Sequence, residues 1–407
     1  MANPPQQSNP PDTSPEISVN RLIFIGLITR LVTDTAVQFF FPFLPVIANG
    51  LGTTTVVAGR LVSLRSSMGL FSPAFGALAD QRGYRFVMRL GLLLGAIGYL
   101  ILGLSTNLWL AVAGMVLAGL GSFAFVPTLQ AYLSIRLPFH QRARGLGTLE
   151  YAWALAGIVG LYLAGLLIEA TSWRVPLFIL GGFFLVAAVG YGRLPATHQS
   201  TPQNKSARTP FSLATVRRFF ELGANRRSAW VVLIVSGINM MAAMIVFLNY
   251  GTWLVREYSL SASGLGTVAL ILGVADLTGS VLVSFVGDRL GLRRSTLGGI
   301  FMTVIGYGLL PQFNQGLVLA VIGLIVSRFA FEFTVVGLIA LVSEQAPAYR
   351  GKMMTMAAAA VLLGSTVAGL LGPSVYEQFG VAGLGYLAAG LMVLSFILLY
   401  FWVRERA

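Results

Sequence analysis

The chain contains no cysteine and only two histidines, His140 and His198, among its 407 residues. Without cysteine there can be no disulfide bond and no thiolate metal site, and two histidines leave little material for zinc or di-iron chemistry. Charged residues are also scarce, at 10% of the chain against roughly 25% in a typical soluble domain. Because 56% of the residues are apolar, too little polar surface remains to face water. We therefore expect an integral membrane protein.

Sequence motifs that would indicate an enzyme or an ATP-driven pump are missing as well. The chain has no Gly-x-x-x-x-Gly-Lys-Ser/Thr loop and no His-Glu-x-x-His pattern. Its net charge of +13 could indicate a nucleic-acid partner, but the basic residues occur in short clusters between apolar runs, which is typical of loops in a membrane protein. We therefore expect no enzymatic activity, no cofactor or metal and no nucleic-acid partner.

Twelve apolar runs are long enough to cross a bilayer, which takes about 20 mostly apolar residues in a helix. The first run is too long for a cleavable signal peptide and lacks a small-residue cleavage site, so we expect it to remain as the first span. The predicted spans are Asn20–Ala48, Thr55–Asp80, Arg85–Leu104, Leu108–Arg136, Gly145–Glu169, Arg174–Tyr191, Ser228–Val255, Ser263–Asp288, Ser295–Leu310, Leu317–Glu344, Gly351–Phe379 and Val381–Val403.

Polar stretches divide these spans into two groups of six. We predict a disordered cytoplasmic tail at 1–19, a six-helix bundle at 20–192, a cytoplasmic linker at 193–227, a second six-helix bundle at 228–403 and a short cytoplasmic tail at 404–407.

The linker and the loops indicate how the chain meets the membrane. Within the linker, Phe211–Leu222 places apolar residues near one face, which favours a short helix on the inner membrane surface, with a solvated linker as the alternative. Most of the 27 basic residues lie on the side of the N-terminus, and Arg174 and Arg256 are exceptions. This asymmetry predicts that both termini are cytoplasmic, and we expect a bacterial inner (plasma) membrane.

The two groups of spans repeat a loop pattern, which is the first feature to seek in such a chain. After the second span, Asp80 is followed by Gly83 and Arg85. After the eighth span, Asp288 is followed at the same spacing by Gly291 and Arg293. The repetition predicts a duplicated six-helix unit.

This loop resembles the signature Gly-x-Leu-Ala-Asp-Arg-x-Gly-Arg-Arg of the major facilitator superfamily, from which it departs at Gln81 and Tyr84. The resemblance covers nearly the whole chain and implies an all-α membrane protein with twelve transmembrane helices in two pseudo-symmetric six-helix bundles, acting as a monomer. The matching residues in the first copy are Gly76, Leu78, Ala79, Asp80, Gly83 and Arg85, and in the second copy Asp288, Arg289, Gly291 and Arg293.

The same resemblance implies that these loops gate the protein. Asp80 would accept hydrogen bonds from the start of the eleventh span, and Asp288 from the start of the fifth, because a helix N-terminus is electropositive. The alternative interpretation is that these charges only mark cytoplasmic loops.

Ionisable residues inside the spans are the main functional candidates, because charges in hydrocarbon are costly. Arg30 and Asp34 lie four residues apart and hence on one helix face, as do Arg328 and Glu332. Each pair is either functional or an internal salt bridge that only fixes packing. Asp276 is expected either to pair with Arg65 or Arg328 or to take up and release a proton.

The resemblance places the first, fourth, seventh and tenth helices around a central cavity, to which the fourth helix would also add Phe125 and Tyr132. The predicted cavity residues for substrate and protons are Arg30, Asp34, Gln38, Arg65, Gln130, Asn239, Asn249, Tyr250, Asp276, Arg328 and Glu332.

These features predict a secondary active transporter that moves a small organic solute by alternating access, with proton-coupled efflux as the favoured direction. The family's proton-coupled drug exporters carry an arginine in the fourth helix, where this chain has Met115, so the proton relay is expected around Asp34 or Glu332 instead. The alternative is uptake or facilitated transport of an organic anion bound by Arg30, Arg65 and Arg328.

Overall fold

The structure, a computed structural model, describes residues 19–195, 225–346 and 350–403, with side chains described except at 139, 140, 142–144, 283–290 and 350. Three predicted segments lie outside these residues. They are the N-terminal tail up to residue 18, the surface helix predicted at Phe211–Leu222 and the C-terminal tail at 404–407. Over the described residues the chain is helical and contains no strand.

The N-terminal half folds into helices joined by short turns, with a 3₁₀ turn at Met68–Phe71 and a π-helical turn at Ala156–Leu161. Its α-helices are α1 (Val19–Gln38), α2 (Phe40–Gly50), α3 (Thr55–Ser67), α4 (Ser72–Arg82), α5 (Tyr84–Leu104), α6 (Leu108–Arg136), α7 (Phe139–Leu155), α8 (Tyr162–Ala170) and α9 (Arg174–Tyr191).

The C-terminal half has the same kind of architecture, and its last helix is kinked at Gly380, where φ is 61°. Its α-helices are α10 (Arg226–Phe247), α11 (Tyr250–Tyr258), α12 (Ala262–Leu290), α13 (Leu292–Gly308), α14 (Leu310–Phe313), α15 (Leu317–Gln345) and α16 (Arg350–Trp402).

Eight helices in the described part of the chain are long and apolar enough to cross a membrane, and nine if the bent pair α1–α2 is counted as one span. Helices suit this environment because their backbone hydrogen bonds are satisfied within the segment. The chain is therefore a multi-pass integral membrane protein, as predicted. The full number of twelve spans remains a prediction.

The first predicted span is broken, with α1 and α2 meeting at an angle of 53° near Phe39. The proline at Pro42 explains the position of the break, because its ring clashes with the carbonyl group four residues earlier, at Gln38, and it offers no backbone N–H to continue the helix. The first predicted span of the other half is also interrupted, between α10 and α11 at Asn249.

The repeated loop motif has the same backbone geometry in both halves. Gly83 has φ and ψ of 87° and 149°, and Gly291 has 79° and 145°. A side chain is strained in this region of positive φ, so glycine is required for the turn between the two helices.

The two halves meet along seams of small residues at the end of the bundle opposite the chain termini, which we call the far end. Gly165 packs against Gly266, and Gly59 packs against the backbone of Gly369. The carbonyl of Pro42 occupies the space beside Gly251. Small residues let helix backbones approach closely in a membrane.

Polar contacts between the halves reinforce this closure. Thr55 donates a hydrogen bond of 3.0 Å to Glu377, and the backbone N–H of Ser263 donates one of 3.2 Å to Glu169. Nearer the end that carries the termini, which we call the terminal end, the side chain of Glu150 between the halves is 59% exposed. The halves are thus joined at the far end and leave a charged group accessible toward the terminal end.

We predict that replacing Gly266 with leucine opens the far end, because an added Cβ there already meets the backbone of Gly165, Leu161 and Tyr162 at 3.1 Å. The cysteine-free chain allows a Ser63→Cys reporter, since Ser63 lies beside Gly369 in the neighbouring seam and is only 2% exposed. Labelling by a membrane-impermeant maleimide should rise several-fold in the Gly266→Leu background.

The matched control for this prediction is Gly182→Leu, at a glycine with open space around it on α9. Equal labelling of the reporter in both backgrounds would show that the Gly165–Gly266 contact does not hold the far end closed.

Candidate functional site

A buried ion pair lies on α1. The Nε of Arg30 donates to both carboxylate oxygens of Asp34 at 2.9 Å, and both residues are buried. Their spacing of four residues places them on one helix face. The guanidinium group also approaches Glu150 on α7, with 3.9 Å between Nη2 and Oε2.

Glu150 is the charged group that sequence reasoning left out of the predicted cavity. Its carboxylate accepts a 2.9 Å hydrogen bond from Nε2 of Gln130 on α6, which is one of the predicted cavity residues. In the sequence, Glu150 is a carboxyl group within an apolar run, which is what would have marked it as a cavity residue. It lies near the predicted inner end of its span, however, so a position at the membrane surface was equally reasonable.

The second buried ion pair joins two helices of the C-terminal half. Arg328 on α15 donates from Nε to Oδ1 of Asp276 on α12 at 2.8 Å, and its Nη2 donates to Oδ2 of the same carboxylate. The guanidinium group also lies 4.1 Å from the ring centroid of Phe247. Two parallel hydrogen bonds between guanidinium and carboxylate give a strong, oriented contact.

This pairing decides between the alternatives left by the sequence. Asp276 is bound to Arg328, and not to Arg65. A salt bridge between Arg328 and Glu332 along one helix face is one of the two interpretations of that pair, but Arg328 bridges to Asp276 instead, because the neighbouring helix supplies a carboxylate in fork geometry. Glu332 instead accepts a hydrogen bond of 3.3 Å from Oγ of Ser280.

Arg65 occupies a different kind of position, at the break between α1 and α2. Its Nη1 donates to the carbonyl oxygens of Ala36 at 3.4 Å and Val37 at 3.1 Å, and its guanidinium group lies 5.0 Å from the ring centroid of Phe40. The hydroxyl of Tyr99 donates to the same Ala36 carbonyl at 3.1 Å. Arg65 therefore satisfies carbonyl groups that the broken helix leaves free.

The polar residues predicted on the first and seventh helices are buried. Gln38 donates to the carbonyl of Trp153 at 2.9 Å, and Asn249 donates to the carbonyl of Ile245 at 2.8 Å. Asn239 is buried, and Tyr250 is close enough to the Arg328–Asp276 pair to interact with it electrostatically. These contacts tie Gln38 and Asn249 to backbone groups of their own half.

The aromatic residues expected from the fourth helix point to the interior of the N-terminal half. Phe125 packs edge-on against Tyr191 of α9, with 5.5 Å between ring centroids. The hydroxyl of Tyr132 donates to the carbonyl of Pro195 at 3.1 Å. Both rings therefore join α6 to α9 and the residues after it.

The loop motifs anchor equivalent helix ends in the two halves. Arg85 donates to the carbonyl of Leu194, just after α9, at 2.9 Å. Its counterpart Arg293 donates to the carbonyls of Val403 at 2.8 Å and Tyr400 at 2.7 Å, at the end of α16. The duplicated arginines thus make the same kind of contact.

The acidic residues of these motifs were predicted to act as latches. Asp80 and Gly76 are exposed, and the hydroxyl of Tyr84 on the adjacent turn donates to Asp80 at 3.5 Å. The side chains of Asp288 and Arg289 lie outside the described residues. The latch therefore remains a prediction.

The two ion-pair clusters have matching charge. Each holds one arginine bound to an aspartate, together with a glutamate that is held by a neutral hydrogen-bond donor, Gln130 for Glu150 and Ser280 for Glu332. The two glutamates belong to opposite halves and are near enough to interact electrostatically. Each cluster thus holds two carboxylates and one arginine. Within the described ranges no cluster of three or more acidic or histidine side chains could hold a metal ion.

A family model described as Major Facilitator Superfamily matches residues 26–248 and 232–407. The chain belongs to this superfamily. The family membership and the all-α major facilitator fold are thereby confirmed, apart from the count of twelve spans, and the protein is a secondary transporter and not an enzyme.

Two relatives are bacterial transport proteins. The chain is 25% identical over 365 residues to the uncharacterized MFS-type transporter YwfA of Bacillus subtilis, covering 89% of this chain and 87% of that protein. It is 26% identical over 310 residues to the multidrug resistance protein MdtG of Serratia proteamaculans, covering 72% of this chain and 71% of that protein.

Solved structures with the same fold include a D-xylose-proton symporter, with a TM-score of 0.75 at 16% identity over 94% of this chain and 98% of that chain. Another is a bacterial homolog of the human lysosomal transporter Spinster in an inward-facing, occupied conformation, with a TM-score of 0.71 at 12% identity over 94% and 96% of the two chains. At these identities the similarity shows the fold alone.

We predict that the Arg328–Asp276 pair is far more important for stability than an exposed pair. Asp276→Asn or Arg328→Gln should each destabilise the protein by about 3–5 kcal/mol, because each leaves a buried charge without its partner. The double variant should be less destabilised than the sum of the two, as measured by thermal unfolding in detergent.

The control pair is Arg256–Glu377 at the far end, with a 2.7 Å contact between side chains that are 46% and 36% exposed. Arg256→Gln should cost only about 0–1 kcal/mol. Additive effects of the two buried substitutions would show that Asp276 and Arg328 do not depend on each other.

Proposed function

We propose that this transporter exports a small organic solute by alternating access and couples export to proton movement. The observation that carries the proposal is the excess of carboxylates in the two ion-pair clusters. Arg30 and Arg328 each donate to an aspartate. Glu150 reaches Arg30 only at 3.9 Å and Glu332 is held by Ser280, so these two glutamates are the carboxylates proposed to bind protons between the two halves. Export is supported by the relatives that are named multidrug resistance proteins.

The charge excess suggests how a proton would act on the conformation. When both Glu150 and Glu332 are ionised, their like charges repel across the space between the halves. Protonation of either one removes that repulsion and lets the terminal ends of the halves approach, while the small-residue seams at the far end separate. Proton binding in this way closes the central space at the terminal end and opens it at the far end.

The proposal includes the orientation predicted from lysine and arginine. With both termini in the cytoplasm of a bacterium and the protein in its plasma membrane, the closed far end faces outward and the accessible Glu150 faces inward. The protein is proposed to act as a monomer, because each half contributes one cluster to a single central space.

The arginine contacts weigh against the anion-binding alternative. Asp34 and Asp276 already hold Arg30 and Arg328, and the carbonyl groups of Ala36 and Val37 hold Arg65. An organic anion would have to displace these acceptors.

We predict that Glu150→Gln shifts the protein toward a state with an open far end, because it removes the repulsion without requiring a proton. The Ser63→Cys reporter should then be labelled more strongly at neutral pH. Glu344→Gln, at an exposed acid on α15, is the control and should leave labelling unchanged. Unchanged labelling in Glu150→Gln would contradict the proposed role of this charge.

We predict that Glu332→Gln uncouples transport from the proton gradient. Purified protein is reconstituted into liposomes with an imposed pH gradient and a mixture of metabolites and drugs, and solute movement is measured by mass spectrometry. Wild type should accumulate at least one solute in the direction set by the gradient. Glu332→Gln should still exchange that solute between compartments but should not accumulate it.

Glu344→Gln, at the exposed acid on α15, serves as the control and should retain accumulation. If wild type moves no solute under any gradient, the transport proposal fails. If Glu332→Gln accumulates solute like wild type, the assignment of the proton to Glu332 fails.

A further inference from the structure

An apolar groove of about 630 Å³ lies between α12, α13 and α15. This volume is in the range of small-molecule sites, roughly 300–1,000 Å³. Its walls include Val274 on α12, Met302 and Ile305 on α13, and Val326 on α15, which are each 40–46% exposed. α12 and α15 are among the helices long and apolar enough to cross a membrane, and α13 overlaps a predicted span, so we infer that the surface these residues expose meets lipid.

The face of α13 that lines the groove continues to a basic residue. Arg294, Gly298, Met302 and Ile305 follow one another at intervals of four, four and three residues, so they form one stripe along the helix. Arg294 is exposed, and Gly298 has open space where a side chain would lie. At 1.5 Å per residue, Arg294 lies roughly 12 Å from Met302 along the axis.

We propose that this stripe and groove bind an anionic phospholipid, with the phosphate at Arg294 and one acyl chain passing over Gly298 into the groove. The basic residue is at the terminal end of α13, where a headgroup lies, and the groove is at the depth of the acyl chain. Basic residues beside transmembrane helices attract anionic lipids, and an apolar groove adds contact with the chain. A zwitterionic lipid would fill the apolar groove with its acyl chain but would bring no net negative charge to Arg294.

The bound chain would lie behind the buried ion pair of the C-terminal half. The groove walls include Ala275 and Phe329, which are the chain neighbours of Asp276 and Arg328. An acyl chain in this place fills the space outside the two helices that hold the pair. This inference does not depend on the direction or the coupling of transport.

The test measures lipid binding to the purified full-length protein by native mass spectrometry. The probes are phosphatidylglycerol and phosphatidylcholine with identical acyl chains. Wild type should retain phosphatidylglycerol in preference to phosphatidylcholine. Arg294→Gln should abolish most of that preference, whereas Arg21→Gln, at an exposed arginine at the start of α1, should leave it unchanged.

A second pair of variants tests the path of the chain. Gly298→Leu should lower retention of both lipids several-fold, because it blocks the stripe between Arg294 and the groove. Gly190→Leu, at an exposed glycine on α9 with open space around it, should bind lipid like wild type. Thermal unfolding in lipid-free detergent identifies any variant that fails to fold, and Arg294→Lys, which keeps the charge, should retain the preference.

Three results would overturn the proposal. They are equal retention of the two lipids by wild type, wild-type retention by both Arg294→Gln and Gly298→Leu, and a change in oligomeric state with unchanged lipid retention. The last result would assign the groove to a second copy of the chain.

Discussion

The interior of a bilayer provides no water to an ionised side chain, so each charge placed there must be matched by an opposite charge or by backbone dipoles. This constraint accounts for the arrangement of the buried arginines. Arg30 and Arg328 are held by aspartates, and Arg65 is held by backbone carbonyl groups. Two glutamates lie outside these hydrogen-bonded pairs, one from each half: Glu150, which is exposed and approaches Arg30 at 3.9 Å, and Glu332, which is held by Ser280. Proton coupling in the proposed cycle depends on these two glutamates.

The break in the first span connects these charges to the closure between the halves. α1 carries Arg30 and Asp34, and α2 carries Pro42, whose carbonyl packs against Gly251 of the other half. Arg65 lies between the two segments and holds the carbonyl groups that the break leaves free. A movement of the Arg30–Asp34 pair on α1 and a movement of the far-end seam at Pro42 on α2 therefore act on the same bent helix pair.

The sequence predicts the fold well because apolar runs and a bilayer together leave the helix as the natural spanning structure. The site is predicted only where its contacts are local. Arg30 and Asp34 are four residues apart, and the structure joins them. The same spacing on α15 did not decide the partner of Arg328, because Asp276 reaches it from another helix. Glu150 was left out since its approach to Arg30 depends on how two helices pack, which no local pattern records.

In the proposed cycle, protonation of Glu150 and Glu332 exchanges an opening at the terminal end for one at the far end. Electron–electron distances between spin labels in the cysteine-free chain would follow both ends during this exchange. One label pair replaces Gly147 and Gly351 near the terminal end, and the other replaces Thr171 and Gly316 near the far end. On lowering the pH, the first distance should shorten while the second lengthens, and replacing both glutamates with glutamine should give the low-pH distances at every pH. Distances that do not respond to pH, or that shorten at both ends together, would contradict this cycle.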